Sequence, residues 1–460
     1  MSTSPVLLWL RRDLRLADHP ALTAAAEAGP VIPVFIAHET TIPVGAASRF
    51  RLGLALEAYG EALEAAGSRL ILKTGDPAEV LPALAKEVGA AAIHCSRSYD
   101  PATKEVDKAL KEACEKDGLE ITGHEGFLLF EPWTVETGQG EPYKVYSPYR
   151  KKVQTRDPGA AIGAPDLTAP ESWPESESLK DWALHADMKR GAAVVRPHVE
   201  AGEAAAQERL ESFLEEDLSD YPTDRDRLDR QGTSHLSAYL TWGEISPRQV
   251  WQAAQRAAEE GNSGAGKFIA EIIWREFAWH LLWHFPKLSE DNWRSAWDGF
   301  PWKGESEVAT GWQRGETGVD VVDAAMRELY VTGYMHNRAR MLVGSYLTKN
   351  LQTDWRIGRA WFENCLCDHD PANNAMGWQW IAGSGPDAAP YFRIFNPVTQ
   401  AEEYDPDAKY RDYWLKGEGA AQFEKAIPKS WTITRPDGPP EPVKESRKRA
   451  LDLYHAFKDE

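Results

Sequence analysis

The sequence predicts two domains of different class: an α/β domain with a parallel sheet, followed by an all-α domain. The first 125 residues alternate strand-length apolar runs with helical stretches, and the chain from about residue 200 onward has almost only helical signals. Residues 156–181, between the two regions, are rich in Pro, Gly, Ser and Glu. A chain of 460 residues also exceeds one ordinary hydrophobic core. We therefore expect an α/β domain over 1–130, a connecting segment over 131–200 and a helical domain over 201–460.

Five apolar runs of the N-terminal region have the length of strands. They are Val6–Leu10, Val31–Ile36, Leu70–Lys73, Ala91–Cys95 and Leu119–Thr122. Helical stretches such as Ser48–Ala66 and Pro77–Val88 separate them, and strands joined by helices of this length form a mostly parallel sheet. The Gly-rich phosphate-binding fingerprint of dinucleotide folds is missing, so this half alone identifies no cofactor.

The second half has helical periodicity and an unusual number of tryptophans. The predicted helices include Glu203–Leu214, Phe268–Phe285, Gly318–Thr332, Met335–Asn350 and Arg356–Leu366. Eleven of the nineteen tryptophans lie between Trp274 and Trp380. Aromatic residues at helical spacing are usually core, but the charged neighbours Glu271, Arg275 and Glu276 weaken that interpretation for Trp274.

The composition is that of a globular protein, with 42% apolar and 27% charged residues. No run is long enough to span a membrane, and Met1 to Pro5 is not a basic export leader. The four cysteines are irregularly spaced, so we expect no disulfide framework and a cytoplasmic location. The net charge of −19 argues against a nucleic-acid partner. Binding depends on one face, however, and arginines cluster at Arg225, Arg227 and Arg230, at Arg338 and Arg340, and at Arg393.

Three segments of the helical half combine residues that suit a binding site. In Gly232-Thr-Ser-His-Leu-Ser237, hydroxyl residues precede an apolar helix, which predicts N-capping and backbone N–H groups that suit a phosphate; an ordinary helix start is the alternative. Glu271 and Trp274, three residues apart, share one helical face. Asn337 and Met341, four residues apart, share another, with Arg340 beside them.

The stretch Cys367-Asp368-His369-Asp370-Pro-Ala-Asn-Asn374 places two carboxylates and two amides close together. Cys365, Cys367 and His369 suggest a metal site. Cysteines two residues apart on a helix point in different directions, however, and no second ligand cluster exists, so we expect no metal. A buried aspartate beside an arginine is equally compatible with a structural pair.

Taken together, the motifs resemble those of the DNA photolyase/cryptochrome family, and specifically its cyclobutane pyrimidine dimer photolyases. The resemblance extends over nearly the whole chain, with the motifs in matching order and spacing. They are Leu8-Trp-Leu-Arg-Arg-Asp-Leu-Arg-Leu16, Gly232-Thr-Ser-His-Leu-Ser-Ala-Tyr-Leu240, Ile273-Trp-Arg-Glu-Phe277, Met335-His-Asn-Arg338, Asp354-Trp-Arg356 and Trp378-Gln-Trp380.

The resemblance implies a Rossmann-like N-terminal domain and a helical domain that holds FAD in a U-shaped conformation. It implies that Arg340 pairs with Asp368 and that Asn374 faces flavin N5, where a neutral amide suits a reduced, anionic flavin. The cofactor-binding residues that it implies are Tyr221, Thr233, Ser234, His235, Leu236, Ser237, Arg340, Asp368, His369, Asp370 and Asn374.

The same resemblance implies that the substrate is a pyrimidine dimer in UV-damaged DNA, extruded from the stack as the base-flipping enzymes do. Glu271 would hydrogen-bond the bases and, with Asn374, act in catalysis. Blue light would drive electron donation from reduced FAD to the dimer. The implied substrate-binding residues are Arg225, Glu271, Trp274, Arg275, Asn337, Arg338, Met341, Trp380 and also Arg393. Trp378, Trp355 and Trp302 match the relay that photoreduces oxidised flavin.

The chain departs from the family pattern where a second, antenna chromophore binds. The folate-binding Asn-Glu pair is not matched by Tyr99-Asp-Pro-Ala-Thr103, and a double Trp found in another subfamily is replaced by Phe50-Arg51. Folate and 8-hydroxy-deazaflavin therefore both stay open as antenna. Other functions are a cryptochrome-type photoreceptor, a (6-4) photolyase, or a redox flavoprotein without a DNA role. We expect a monomer.

Overall fold

The computed structural model describes residues 4–391, 393–434 and 436–459. Its N-terminal part contains a five-stranded, fully parallel sheet with the order β3-β2-β1-β4-β5. The strands are β1 Val6–Leu10, β2 Val31–Ala37, β3 Ile71–Thr74, β4 Ala92–Ser96 and β5 Glu120–His124. The helices of this part are α1 Pro20–Ala28, α2 Ala46–Ala65, α3 Pro77–Val88 and α4 Thr103–Asp117. The predicted fold class is therefore confirmed.

Local sequence explains why these elements are where they were predicted. All five residues of β1 are buried, because a central parallel strand is covered on both faces and is therefore apolar throughout. Helix α3 has the predicted bounds because Asp76 caps its first turn, Pro77 occupies its first position and Gly89 ends it in a left-handed conformation (φ +64°).

The remainder of the described chain is helical. Two helices, α5 Tyr146–Val153 and α6 Ala192–Val195, lie in the connecting segment. The others are α7 Glu203–Ser212, α8 Tyr221–Asp224, α9 Ser237–Trp242, α10 Pro247–Glu259, α11 Ala265–His284, α12 Glu307–Arg314, α13 Asp320–Thr332, α14 Asn337–Ser345, α15 Trp355–Cys365, α16 Pro371–Ala382, α17 Pro397–Tyr404, α18 Lys409–Leu415, α19 Glu418–Ala426 and α20 Val443–Asp459. Turns of π-helix at Phe213–Asp217 and Tyr346–Asn350 extend α7 and α14.

The Pro-rich stretch 156–181 contains no helix or strand before residue 179, and it runs along the N-terminal sheet. The carbonyl of Thr168 accepts from the N–H of Val31 at 3.1 Å, and the N–H of Glu177 donates to the carbonyl of Leu72 at 2.9 Å. Helix α5 instead packs on α11, so this part of the connecting segment shares the core of the helical region.

Buried polar contacts join the two halves. Arg51 of α2 forms a bidentate ion pair with Glu244, and both side chains are fully buried. Glu276 of α11 accepts from the backbone N–H of Leu129 at 2.8 Å, and burial raises its pKa to about 7. All four cysteines are buried and free. Among the described helices, none is long and apolar enough to cross a membrane.

Candidate functional site

A cavity of about 560 Å³ lies in the helical half, between α9, α11, α14 and α16. Its volume is in the range of sites that hold a cofactor or a small ligand. Sixteen of the residues predicted from the sequence line it: Tyr221, Arg225, Ser234, Leu236, Ser237, Glu271, Trp274, Arg275, Asn337, Arg340, Met341, Asp368, Asp370, Asn374, Trp378 and Trp380. Thr233, His235, Arg338, His369, Arg393, Trp302 and Trp355 do not line it.

Helical spacing brings these side chains to the cavity in pairs. Glu271 and Trp274 face it from α11, and Asn374 and Trp378 face it from α16. Asp370 is the N-cap of α16 and accepts from the N–H of Asn373 at 2.8 Å. Its other oxygen accepts from Trp279 Nε1 at 2.8 Å, so the protein itself already engages both oxygens of Asp370.

Asp368 is the polar centre of the cavity. Arg340 Nη2 donates to its Oδ2 at 2.8 Å, which is the pair expected from the sequence, and Ser237 Oγ donates to the same oxygen at 2.7 Å. The other oxygen, Oδ1, is buried and has no hydrogen-bond partner among the described residues. A buried acceptor without a partner is costly, so this oxygen is suited to a donor group on a ligand.

The N-capping expected at Gly232–Ser237 is wrong. Leu236 occupies the N-cap position of α9, and its apolar side chain has no acceptor for a capping hydrogen bond. Ser237 is the first residue of the helix, and its hydroxyl donates to Asp368. His235 has a left-handed backbone (φ +53°), and its ring packs on that of Tyr334 at 4.7 Å. Burial and the charge of Arg209 lower the pKa of His235 to about 4, so the imidazole is neutral. Thr233 lies 3.4 Å from the Tyr334 hydroxyl.

Glu271 and Trp274 have partners that the sequence did not reveal. Arg225 and Lys267 both form ion pairs with Glu271, the second at 3.2 Å. Trp274 stacks on Tyr146 of α5, with ring centroids 3.5 Å apart and an interplanar angle of 5°. Lys267 could have been found from its position four residues before Glu271, whereas no local pattern connects residues 146 and 274.

The arginines expected to bind the substrate mostly form ion pairs with carboxylates of the protein. Arg275 is buried, pairs with Glu276 at 3.1 Å and donates to the carbonyl of Phe127, and it also lines the cavity. Arg338 pairs with Asp226 at 2.7 Å. Arg393 is exposed, and its carbonyl accepts from Lys349 Nζ at 3.1 Å.

The three tryptophans of the expected relay lie within one group of packed side chains. Trp378 and Trp355 are buried, and Trp302 is half-buried against the same core. Backbone hydrogen bonds join Lys303 to Gln352 and Asp354 at 2.7 and 2.9 Å, which brings the residues beside Trp302 and Trp355 together.

His369, one of the predicted cofactor-binding residues, is buried, and burial and the charge of Arg12 lower its pKa to about 4.

The positions considered for an antenna are already used by the protein. The Tyr99 hydroxyl donates to Glu131 at 2.9 Å, and Arg51 is paired with Glu244. The antenna therefore stays open. In the described part of the chain, no group of three or more His, Cys, Asp or Glu side chains is arranged to hold a metal ion.

The fold and cavity define a protein of the photolyase class. The model of the FAD binding domain of DNA photolyase matches residues 268–452, and that of DNA photolyase matches 6–171. A deoxyribodipyrimidine photo-lyase of Agrobacterium fabrum is 44% identical over 414 residues, which cover 89% of this chain and 86% of that protein. The chain belongs to the DNA photolyase family, and the expected FAD cofactor is confirmed.

Two further relatives show how broad the likeness is. The crystal structure of a class III photolyase from Agrobacterium tumefaciens superimposes with a TM-score of 0.91 at 40% identity, and the match covers 100% of this chain and 99% of that one. Cryptochrome-2 of Arabidopsis thaliana is 33% identical over 427 residues, which cover 89% of this chain and 70% of that protein.

Proposed function

We propose that this protein repairs cyclobutane pyrimidine dimers in DNA with blue light. The observation that supports this most directly is that Glu271 and Trp274, the residues expected to hold a dimer, line the same cavity as Asp368 and Asn374, the residues expected to hold FAD. A lesion and a cofactor that share one cavity lie close enough for direct electron transfer. Held by Asp368 and Asn374, reduced FAD would supply the electron that opens the cyclobutane ring in blue light, and the electron would return to it once the ring has opened.

The side chains of the cavity fit this cofactor. Oδ1 of Asp368, which has no partner among the described residues, accepts a hydrogen bond from a donor group of the ligand. Arg340 and Ser237 hold the carboxylate in place. Asn374 is a neutral amide, fixed by a hydrogen bond from its Nδ2 to the carbonyl of Arg359 at 3.1 Å. A neutral group here neither repels an anionic ring system nor donates a proton to it readily.

On the substrate side of the cavity, Trp274 provides a stacking surface and Glu271 provides hydrogen-bond acceptors. Trp274 provides a flat ring on which an extruded base stacks, and such stacking contributes about 1–3 kcal/mol per base. Glu271 forms ion pairs with Arg225 and Lys267, and its carboxylate oxygens accept hydrogen bonds from base N–H groups. Asn337 and Met341 of α14 complete the pocket, and Trp380 lies beside them.

A relay role for Trp378, Trp355 and Trp302 belongs to this proposal. Indole is readily oxidised, and Trp378 lines the cavity while Trp302 is partly exposed. Trp378 would give an electron to oxidised cofactor, Trp355 would give one to Trp378 and Trp302 one to Trp355, so the positive charge would move toward solvent.

The test is incubation of the purified protein with an oligonucleotide that contains one thymine dimer, in blue light and in the dark, and a count of intact dimers. We expect loss of dimers only in the light. A second oligonucleotide with a (6-4) product should remain unchanged. Light-dependent cofactor reduction without loss of dimers would favour a photoreceptor of the cryptochrome kind.

A further inference from the structure

A basic segment lies in the connection between the two halves of the protein. From Lys144 to Arg156 the sequence contains five cations and no acidic residue, although the chain as a whole has a net charge of −19. Arg150, Lys151 and Lys152 lie in the last turn of α5. Positive charge at the carboxyl end of a helix interacts favourably with the helix dipole. One cation is enough for this favourable interaction with the helix end, so the other cations need a different explanation.

These three side chains have no ion-pair partner in the described part of the chain, and Lys151 and Lys152 are exposed. The arginines around the cavity differ, because Arg225 is paired with Glu271 and Arg338 with Asp226. The cations nearest the candidate lesion pocket are thus already neutralised. Free positive charge for the phosphates of a nucleic acid must come from elsewhere on the surface.

Helix α5 is joined directly to the pocket by its first residue. Tyr146 stacks on Trp274, and its hydroxyl donates to the carbonyl of Ala270 at 2.7 Å, so the helix is held against α11. Arg150 lies one turn after Tyr146 on the same face. Burial raises the pKa of Tyr146, and the positive charge of Arg150 opposes this rise.

We propose that α5 is a DNA-docking element, in which Arg150, Lys151 and Lys152 bind phosphates that flank the extruded dimer and Tyr146 holds the ring of Trp274 in its stacking orientation. The inference rests on the proposed function and specifies how duplex DNA is held beside the pocket. Tyr146 is a positioning residue, because it acts through Trp274. The three cations do not distinguish damaged from undamaged DNA, since the phosphates that they contact are the same in both.

The first test compares two triple variants with equal charge change: R150A/K151A/K152A in α5, and K444A/R447A/K448A in α20, where all three substituted cations are exposed. Affinity for dimer-containing and undamaged duplex is measured across a series of salt concentrations. Each lost phosphate contact makes the slope of log affinity against log salt shallower by about 0.9, so the α5 variant should lose about 2–3 units of slope on both duplexes. The α20 variant should retain the wild-type slope. An unchanged slope in the α5 variant, or an equal loss in both variants, would overturn the proposal.

The second test concerns Tyr146. In Y146A the preference for dimer-containing over undamaged duplex should fall, because the ring of Trp274 loses its support. Y146F keeps the stack and should keep the preference, although it loses the bond to Ala270. An unchanged preference in Y146A would remove the positioning role. Absence of any preference in the wild-type protein would instead count against the proposed function itself, which keeps the two failures distinct.

Discussion

At the scale of single residues, Trp274 has one ring face covered by Tyr146 and lines the cavity. A ligand therefore has one indole face available to it. We expect W274A to weaken binding of dimer-containing DNA by roughly 5- to 150-fold, which corresponds to about 1–3 kcal/mol of stacking. The absorption of the bound flavin should be retained. W133A, a change at an exposed tryptophan outside the cavity, is the control in the same binding titration. Unchanged affinity in W274A would exclude Trp274 from the lesion pocket.

Trp378 and Trp312 are both buried, and their ring centroids lie 6.0 Å apart. Of the two, only Trp378 lines the cavity. We expect W378F to slow photoreduction of oxidised flavin strongly, because phenylalanine is much harder to oxidise than indole. Repair should be normal once the flavin is reduced chemically. W312F should photoreduce like the wild type. Photoreduction followed by absorbance would decide between them, and a normal rate in W378F would exclude it from the relay.

Lys349 is fully buried, and burial followed by the charge of Arg393 lowers its pKa from 10.5 to about 7. Between these two pH values the unfolded chain binds more protons than the folded one, so the free energy of unfolding should rise with pH through this window. From about pH 7 to about pH 9 the rise is at most about 2 kcal/mol. K349M should lack this increment in urea titrations at the two pH values. Parallel pH profiles of wild type and K349M would show that Lys349 is charged in the folded protein.

At the scale of elements, α15 packs against α16, and Gly358 of α15 lies against Trp378 of α16. A Cβ atom at this position would overlap the six-membered ring of Trp378. We expect G358A to lower the free energy of unfolding by about 1–3 kcal/mol, as overpacking does, and to slow photoreduction through displacement of Trp378. G266A in α11, where nothing lies within 4 Å of the added atom, should be neutral or slightly stabilising. Equal stability of both variants would show that the helices move apart without cost.

The elements also show where local sequence is sufficient. Helix α3 is bounded by its own cap, proline and glycine, so its limits followed from the sequence. Helix α14 was expected from Met335 to Asn350, but it begins after His336, whose ring accepts from the N–H of Arg338 at 3.1 Å, and it ends in a π turn. A π-helical turn depends on how neighbouring elements pack, so no capping residue in the sequence could have predicted it.

At the scale of the whole molecule, the pair of Arg51 and Glu244 connects the α/β half to the helical half. Removing one partner leaves the other charge buried and uncompensated, so R51M should cost about 3–5 kcal/mol of unfolding free energy. The double variant R51M/E244L should recover part of this loss because no lone charge remains. K111M, which breaks an exposed ion pair with Glu115, should change stability by less than about 0.5 kcal/mol. Chemical denaturation measures all three variants, and a double variant less stable than R51M would contradict the account.

The sequence by itself determined the parallel sheet, the helical second half, the family, and the pairs of site residues that share one helical face. These features depend on periodicity and short motifs, which are local properties of the chain. Tertiary structure decided that Tyr146 stacks on Trp274, that Arg275 is buried between the halves, and that Ser237 bonds to Asp368 rather than capping its helix. Such contacts join residues far apart in the chain, and they depend on how whole elements pack. No local pattern specifies that packing.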